Sequence, residues 1–210
     1  MGRTSDARSK LLSAALTLIW QSSYGAVGVD QICEVAGVKK GSFYYFFASK
    51  SELAVAAYES YWESKVPDME AIFSPERPPL ERLECFCRKG YESQREMFLR
   101  HGVVVGCPYA NVGSELATQD PRIRAKTQEI MERILAYLEQ AISDAVDEGS
   151  IEKLNPKEAA RETYSVILGA LLRAKVENNP EVLVDLDRTV LRLLGARSSV
   201  LIEQIPAIAV

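Results

Sequence analysis

No apolar run in this chain approaches the roughly 18 residues that a membrane-crossing helix requires, so a spanning protein is excluded and no membrane partner is expected. Histidine is nearly absent. His101 alone, beside Cys33, Cys85, Cys87 and Cys107, gives no zinc-ligand spacing, and neither a metal nor another cofactor is expected. Cys85 and Cys87 stand two apart in a helical pattern and point to different sides, which defeats both a mutual disulfide and paired ligation. At 210 residues the chain buries a full core without disulfide staples, so all four thiols are expected to be reduced, in a cytoplasmic protein. Its 12 glycines and 9 prolines are scattered, which excludes a low-complexity segment. Strand alternation of useful length and internal repeats are also missing. There is no Ser-His-Asp arrangement, no phosphate-cradling glycine loop and no motif around His101, so no enzyme chemistry is expected.

What is present is an ordinary globular balance, 47% apolar and 26% charged, with a net charge of -4 that is unevenly spread. Residues 1–50 carry a net +3, leaving -7 on the remaining 160. A basic head on an acidic body points to two tasks, and the length allows one large domain or two smaller ones. The basic Arg3, Arg8 and Lys10 before the apolar Leu11–Trp20 superficially resemble a secretory leader. However, Ser9, Ser13, Thr17 and Gln21 recur every four residues opposite Leu12, Ala15, Leu16 and Ile19, the pattern of a water-facing amphipathic helix.

The periodicity predicts an all-α protein of about nine helices. The first spans about Asp6–Ser23. A second, Val29–Ala36, opens at Gly28, with Gln31 placed to reach back at its third position, and is broken by Gly37. A third covers Lys40–Phe47. A fourth is capped by Ser49 and ended by Pro67. After the loop Ser74–Pro79, helices follow over Leu80–Arg100, Tyr109–Thr118, Pro121–Glu148, Pro156–Glu177 and Glu181–Leu194. In the long seventh helix Ile130, Ile134, Leu138 and Ile142 hold strict i+4 spacing.

Two short helices joined at Gly37, with a third before them, form a helix-turn-helix arrangement. Phe43 and Phe47 are i, i+4 and anchor one face. At about 100° per residue, Gly41 and Tyr45 fall on the opposite face, flanked by Ser42 and Tyr44, with Lys39 and Lys40 at the start. Such a helix fits a major groove. Five consecutive aromatics cannot all face inward, so Tyr44 or Tyr45 must be exposed. The stretch Ile32–Leu53 resembles the DNA-binding signature of TetR-family transcriptional regulators, at Gly37-Val38, Lys40-Gly41, Tyr44-Tyr45, Phe47 and Ser49-Lys50. The resemblance implies residues 1–50 as a helix-turn-helix domain and 51–210 as a helical ligand-binding and dimerisation domain. It also implies double-stranded operator DNA as a partner, contacted at base edges by Lys39, Lys40, Gly41 and Ser42 and along the backbone by Tyr44, Tyr45 and Lys50. Three departures stand out. Gly28-Val29 lack the family's usual threonines, Lys39 replaces a small polar cap, and Phe46 replaces a histidine.

For the body, the resemblance implies a homodimer formed by the last two long helices. Leu183, Leu186, Val190 and Leu193 follow a heptad-like seam, and Ala160, Gly169, Ala170 and Ala174 permit close approach; the other reading is that both helices complete a monomeric core. The segment Gly106–Glu115, which contains Cys107 and Asn111, resembles a stretch found in a TetR subgroup that includes regulators of reactive electrophiles. Cys107 precedes a helix, where unpaired N–H groups favour a thiolate; it is either a sensor or a packed core thiol. Tyr109, Tyr137 and Tyr164, with Tyr91 and Phe98, either line a small-molecule cavity or are ordinary core. Lys175, in the apolar stretch Val166–Val176, either lines a pocket or snorkels. The function that follows is a ligand-responsive transcriptional repressor. The alternatives are a helical protein-interaction module and an activator of the same architecture.

Overall fold

A computed structural model of the chain describes residues 2–196. These residues form nine α-helices and no strand: α1 (Gly2–Gln21), α2 (Val29–Ala36), α3 (Lys40–Phe46), α4 (Lys50–Ile72), α5 (Pro79–His101), α6 (Pro108–Leu116), α7 (Pro121–Asp147), α8 (Pro156–Glu177) and α9 (Leu186–Leu193), with a 3-10 turn at Pro180–Leu183 before the last. None of these helices is long and apolar enough to cross a membrane. The chain divides into two compact units, one running to Asp68 and including Met97–Ile134, the other made of Met69–Glu96 and the chain from Leu135 onward.

In the first unit α1 packs against α2, α3 and α6, and α2 against α3. Of the stripe expected on α1, Leu12, Ala15 and Ile19 are buried and Leu16 is half-buried, while Ser9, Ser13, Thr17 and Gln21 face water. Leu11, Val27, Ile32, Phe43, Phe47 and Leu53 complete this small core. The i+4 row of α7 is buried at Ile130, Ile134, Leu138 and Ile142 alike. Proline at N1 opens both α6 and α8, where the missing N–H costs nothing.

The second unit packs α8 against the 3-10 turn and α9. Its one buried arginine, among the described residues, is Arg82, whose guanidinium donates to the carbonyls of Arg77 and Pro75 and to the Asp144 carboxylate. A buried cation is tolerable only when its donors are paired in this way.

Two boundaries differ from the sequence expectation. Pro67 does not end α4, which continues to Ile72. The proline deprives the Glu63 carbonyl of its N–H partner, but Glu63 and Pro67 both lie on the exposed side of the helix, open to solvent. The helix expected over Glu181–Leu194 is interrupted: a 3-10 turn ends at Leu183, and α9 begins only at Leu186. Asn179 caps the turn through its side-chain oxygen on the Glu181 N–H, and Pro180 is well suited to open such a turn.

Glycine is needed at Gly113, where α6 meets α7. A Cβ there would stand 2.6 Å from Thr127 Cγ2. Gly113→Ala is therefore expected to destabilise the fold by about 1–3 kcal/mol through overpacking. Adding Thr127→Ser, which removes the offending methyl, should recover most of the loss in thermal unfolding. A single variant as stable as the parent would show that α6 and α7 do not approach so closely.

Candidate nucleic-acid interface and effector segment

The turn between α2 and α3 depends on Gly37, which takes the left-handed conformation at φ 64°. There its N–H bonds to the Glu34 carbonyl, and the Val38 N–H bonds to that of Cys33, closing α2. The next helix thus leaves at a fixed angle. Phe43 and Phe47 turn inward, and Arg8 of α1 stacks over the Phe47 ring at 5.7 Å. Tyr44 and Tyr45 turn outward, 56% and 75% exposed. Lys39 and Gly41 are also exposed, and Ser42 partly so. Lys40 is at the surface too, paired at 2.7 Å with Asp30 of α2, and that hydrogen bond raises its pKa. All seven residues expected at the interface lie in α3, at its start or at the opening of α4, and six of them present the small, polar and aromatic face read from the sequence.

Lys50 is the exception. Its ammonium turns back into the head, donating to the carbonyls of Tyr24 and Val27, each at 2.8 Å, and lying 3.9 Å from the centre of the Tyr24 ring. Partial burial pushes its pKa down. Instead of standing clear as a phosphate clamp, Lys50 ties the loop between α1 and α2 to the start of α4. Ser49 and Glu52 hold that start, Ser49 Oγ accepting from the Glu52 N–H and the Glu52 carboxylate from the Ala48 N–H.

The same loop is held from its other side by α6. The Glu115 carboxylate accepts from the N–H groups of Tyr24 and Gly25 at 3.0 and 2.7 Å. At the opposite end of α6, the Trp20 indole donates to the Gly106 carbonyl at 3.1 Å. Asp120 completes the tie, capping α7 through the N–H groups of Arg122 and Ile123 and accepting from the buried Ser51 hydroxyl of α4.

Cys107 is the N-cap of α6; its sulfur accepts from the Ala110 N–H at 3.5 Å, and it is partly exposed rather than sealed in the core. Asn111 donates to the Val105 carbonyl at 2.7 Å, and Tyr109 is buried with its ring 5.7 Å from that of Tyr58 and 6.0 Å from that of Tyr61. Burial raises all three phenol pKa values, Tyr61 to about 12, and the nearby Cys107 adds to each rise. Tyr137, Tyr164 and Lys175 belong to the second unit: Tyr137 packs at 5.2 Å on Phe73, Tyr164 is buried, and Lys175 is half-buried in the last turn of α8. The remaining cysteines form no disulfide; Cys33 and Cys87 are buried, and burial together with Asp187 and Glu84 pushes Cys87 up to about 12.

Of the four residues expected at a dimer seam, Leu183, Leu186 and Val190 are buried within the single chain and only Leu193 is exposed, at 44%. Their spacing reports an apolar face of the 3-10 turn and α9, which this chain itself covers. The large apolar side chains left exposed on α8 are Leu172 and Val176.

Comparison with known proteins settles the family. The model for the N-terminal region of bacterial regulatory proteins of the tetR family matches residues 11–57, and that for the tetracyclin repressor-like C-terminal domain matches residues 79–190. The transcriptional regulator AcuR of Cereibacter sphaeroides is 31% identical, over 87% of this chain and 83% of its own. The chain belongs to the TetR family. It is a DNA-binding transcriptional regulator of the helix-turn-helix type, and its relatives are regulators rather than enzymes. TetR-family proteins are generally ligand-responsive repressors that act as dimers on operator DNA. The HTH-type transcriptional repressor NemR of Escherichia coli is 26% identical over 85% of this chain and 88% of its own. The crystal structure of its reduced form superposes with a TM-score of 0.78 at 25% identity, covering 92% of this chain and 99% of that one. A regulatory protein TetR from Rhodobacter sphaeroides gives 0.79 at 31% identity, over 89% and 98%.

Tyr58, Tyr61, Trp20 and the role of Glu115 were not singled out from the sequence. The tyrosines had one available signal, an i, i+3 pair on one face of α4. For Lys50, Lys50→Met is expected to lower stability by about 2 kcal/mol, the scale of losing hydrogen bonds made by a charged donor. An unchanged melting temperature would show that the ammonium faces solvent instead.

Proposed function

We propose that this TetR-family regulator is a repressor that binds an inverted-repeat operator as a homodimer and releases it when a reactive electrophile modifies Cys107. In this reading residues 1–50 read DNA, and residues 51–210 dimerise and receive the ligand. The observation that carries it is the divided face of α3: Phe43 and Phe47 buried, Tyr44 and Tyr45 exposed beside Lys39, Lys40, Gly41 and Ser42. Stability alone gives no reason to leave two large aromatics in water, whereas a phosphate backbone offers acceptors for both hydroxyls.

A dimer supplies a second head, with half-sites one or more helical turns apart. The exposed Leu172 and Val176, and Gly169, where a Cβ would meet nothing within 4 Å, support the outer face of α8 as the meeting surface, with Leu193 of α9 beside it. Leu172→Asp leaves the single chain nearly as stable as the parent, because the site is already exposed. In the dimer it buries an unpaired charge. Sedimentation should show dimerisation weakened roughly a hundredfold or more, a change of about 3 kcal/mol, with operator affinity falling in parallel. A wild-type chain that is monomeric at micromolar concentration yet binds its operator tightly would overturn the architecture.

Release is assigned to α6. Cys107 opens this helix, and the flanking Gly106 and the terminal Glu115 are both bonded to the head. A thioether or oxidised sulfur at Cys107 adds bulk at the sulfur that caps the Ala110 N–H and crowds the packed side of the site. A shift of α6 then pulls the loop before α2, and a coupling of about 1–3 kcal/mol is enough to change operator affinity by 5- to 150-fold. Cys107→Ser keeps the volume and removes the nucleophile. It should bind operator as the parent does and stay bound after treatment with a mild electrophile. Release equal to that of the parent would leave Cys107 a packing residue and the effector non-covalent.

A further inference from the structure

The phenol of Tyr109 is an anomaly. The residue is 6% exposed, and its hydroxyl has no hydrogen-bond partner. Leaving a buried donor unmet costs about 1–3 kcal/mol, which a phenylalanine of the same shape would avoid. Tyr109 lies two residues from Cys107, in the first turn of the helix that Cys107 caps, and its ring is boxed by Tyr58 and Tyr61 of α4. Tyr58 is buried with it, and the Trp20 ring packs edge-on to Tyr61 at 5.5 Å. Cys107 therefore stands at the edge of an aromatic nest in which the Tyr109 hydroxyl is buried without a partner.

We infer that the electrophile taken by Cys107 is an α,β-unsaturated carbonyl compound, and that the Tyr109 hydroxyl is the donor to its carbonyl oxygen. The inference rests on Cys107 being the reacting residue, as proposed above. The thiol gives up its proton to water, and the sulfur forms a bond to the β-carbon. The carbon–carbon π pair moves to join the α-carbon to the carbonyl carbon, and the carbonyl π pair moves onto oxygen as an enolate. Tyr109 donates its hydrogen bond to that oxygen as the charge develops. The α-carbon then takes a proton from water, leaving a saturated thioether. Nothing leaves, and no oxidant is needed.

The chemistry of the nest suits this step. Burial raises the Tyr109 pKa, and Tyr61 and Cys107 raise it further, so the phenol remains a proton-bearing donor throughout the neutral range. One donor fixed in place by packing and aimed at a developing oxyanion counts for more than the same group free in solution. The aromatic walls accept an apolar, planar conjugated system edge-on or offset. Oxidants and disulfides develop no such oxyanion, so they gain nothing from Tyr109.

The full chain and its Tyr109→Phe variant should be compared by following Cys107 modification with peptide-resolved mass spectrometry. The two probes are 2-cyclohexenone, a conjugated ketone, and an aromatic disulfide. Tyr109→Phe should add cyclohexenone roughly tenfold or more slowly, the lower side of what losing one oxyanion donor costs. Exchange with the disulfide should stay within about twofold of the parent. The variant should also melt no lower than the parent, because it removes only the unmet hydroxyl. Unchanged addition of cyclohexenone, or equal slowing with both probes, would overturn the role of Tyr109 while leaving Cys107 reactive. A wild-type Cys107 inert to both probes would instead overturn the reading on which the inference rests.

Discussion

The loop between α1 and α2 has to solve a polar accounting problem before the head can exist. Chain reversal over Ser22–Gly28 leaves backbone groups that no helix satisfies, and every such group removed from water needs a partner. Two charged side chains from distant parts of the sequence supply them. Lys50 takes the carbonyls of Tyr24 and Val27, and Glu115 takes the N–H groups of Tyr24 and Gly25. The cation and the carboxylate take opposite ends of the Tyr24–Gly25 peptide unit, and their hydrogen bonds are of the stronger, charge-assisted kind. Because α2 begins at Val29, the placement of both helices of the DNA-reading motif follows from this clasp.

The local parts of this arrangement were legible in the sequence. Gly37 marks the turn because a left-handed residue must sit there, and the spacing of Phe43 and Phe47 divides α3 into an inner and an outer face. The i+4 row of α7 was equally plain. Each is a short-range pattern with a single geometric solution. Pro67 was misread because a missing N–H is damaging or harmless according to whether its orphaned carbonyl reaches water, and exposure is not a local property. A related limit applies to Leu183, Leu186 and Val190, which the single chain covers itself. Periodicity shows that a face is apolar and says nothing of whether the same chain or a second one covers it.

The site was harder to read because its parts are held together by long-range pairing. Glu115 lies 90 residues from Gly25, and nothing in its own neighbourhood singles out those amides. Lys50 was assigned outward because it opens a helix beside a basic motif, yet the nearest unmet acceptors were two carbonyls inside the head. The three phenols around Cys107 come from α4 and α6, and the orphaned hydroxyl among them exists only once both helices are placed. Family resemblance pointed to Cys107; the three phenols of its surroundings show only in the fold.

The link between that thiol and the head follows from how little holds α6 by itself. A helix of nine residues is marginal on its own, since nucleation costs more than so few hydrogen bonds return. Its position depends instead on contacts beyond its own ladder: the Cys107 cap, the Asn111 side chain on Val105, the fit of Gly113 to Thr127, and the Glu115 carboxylate on the loop. Close packing at Gly113 leaves no slack for the helix to shift locally and stay where it is. In the proposed reading, a change in size or charge at its N-cap is carried along this short helix to its far end, where the carboxylate holds the loop before α2. The feature that makes α6 weak as a helix would then make it effective as a lever.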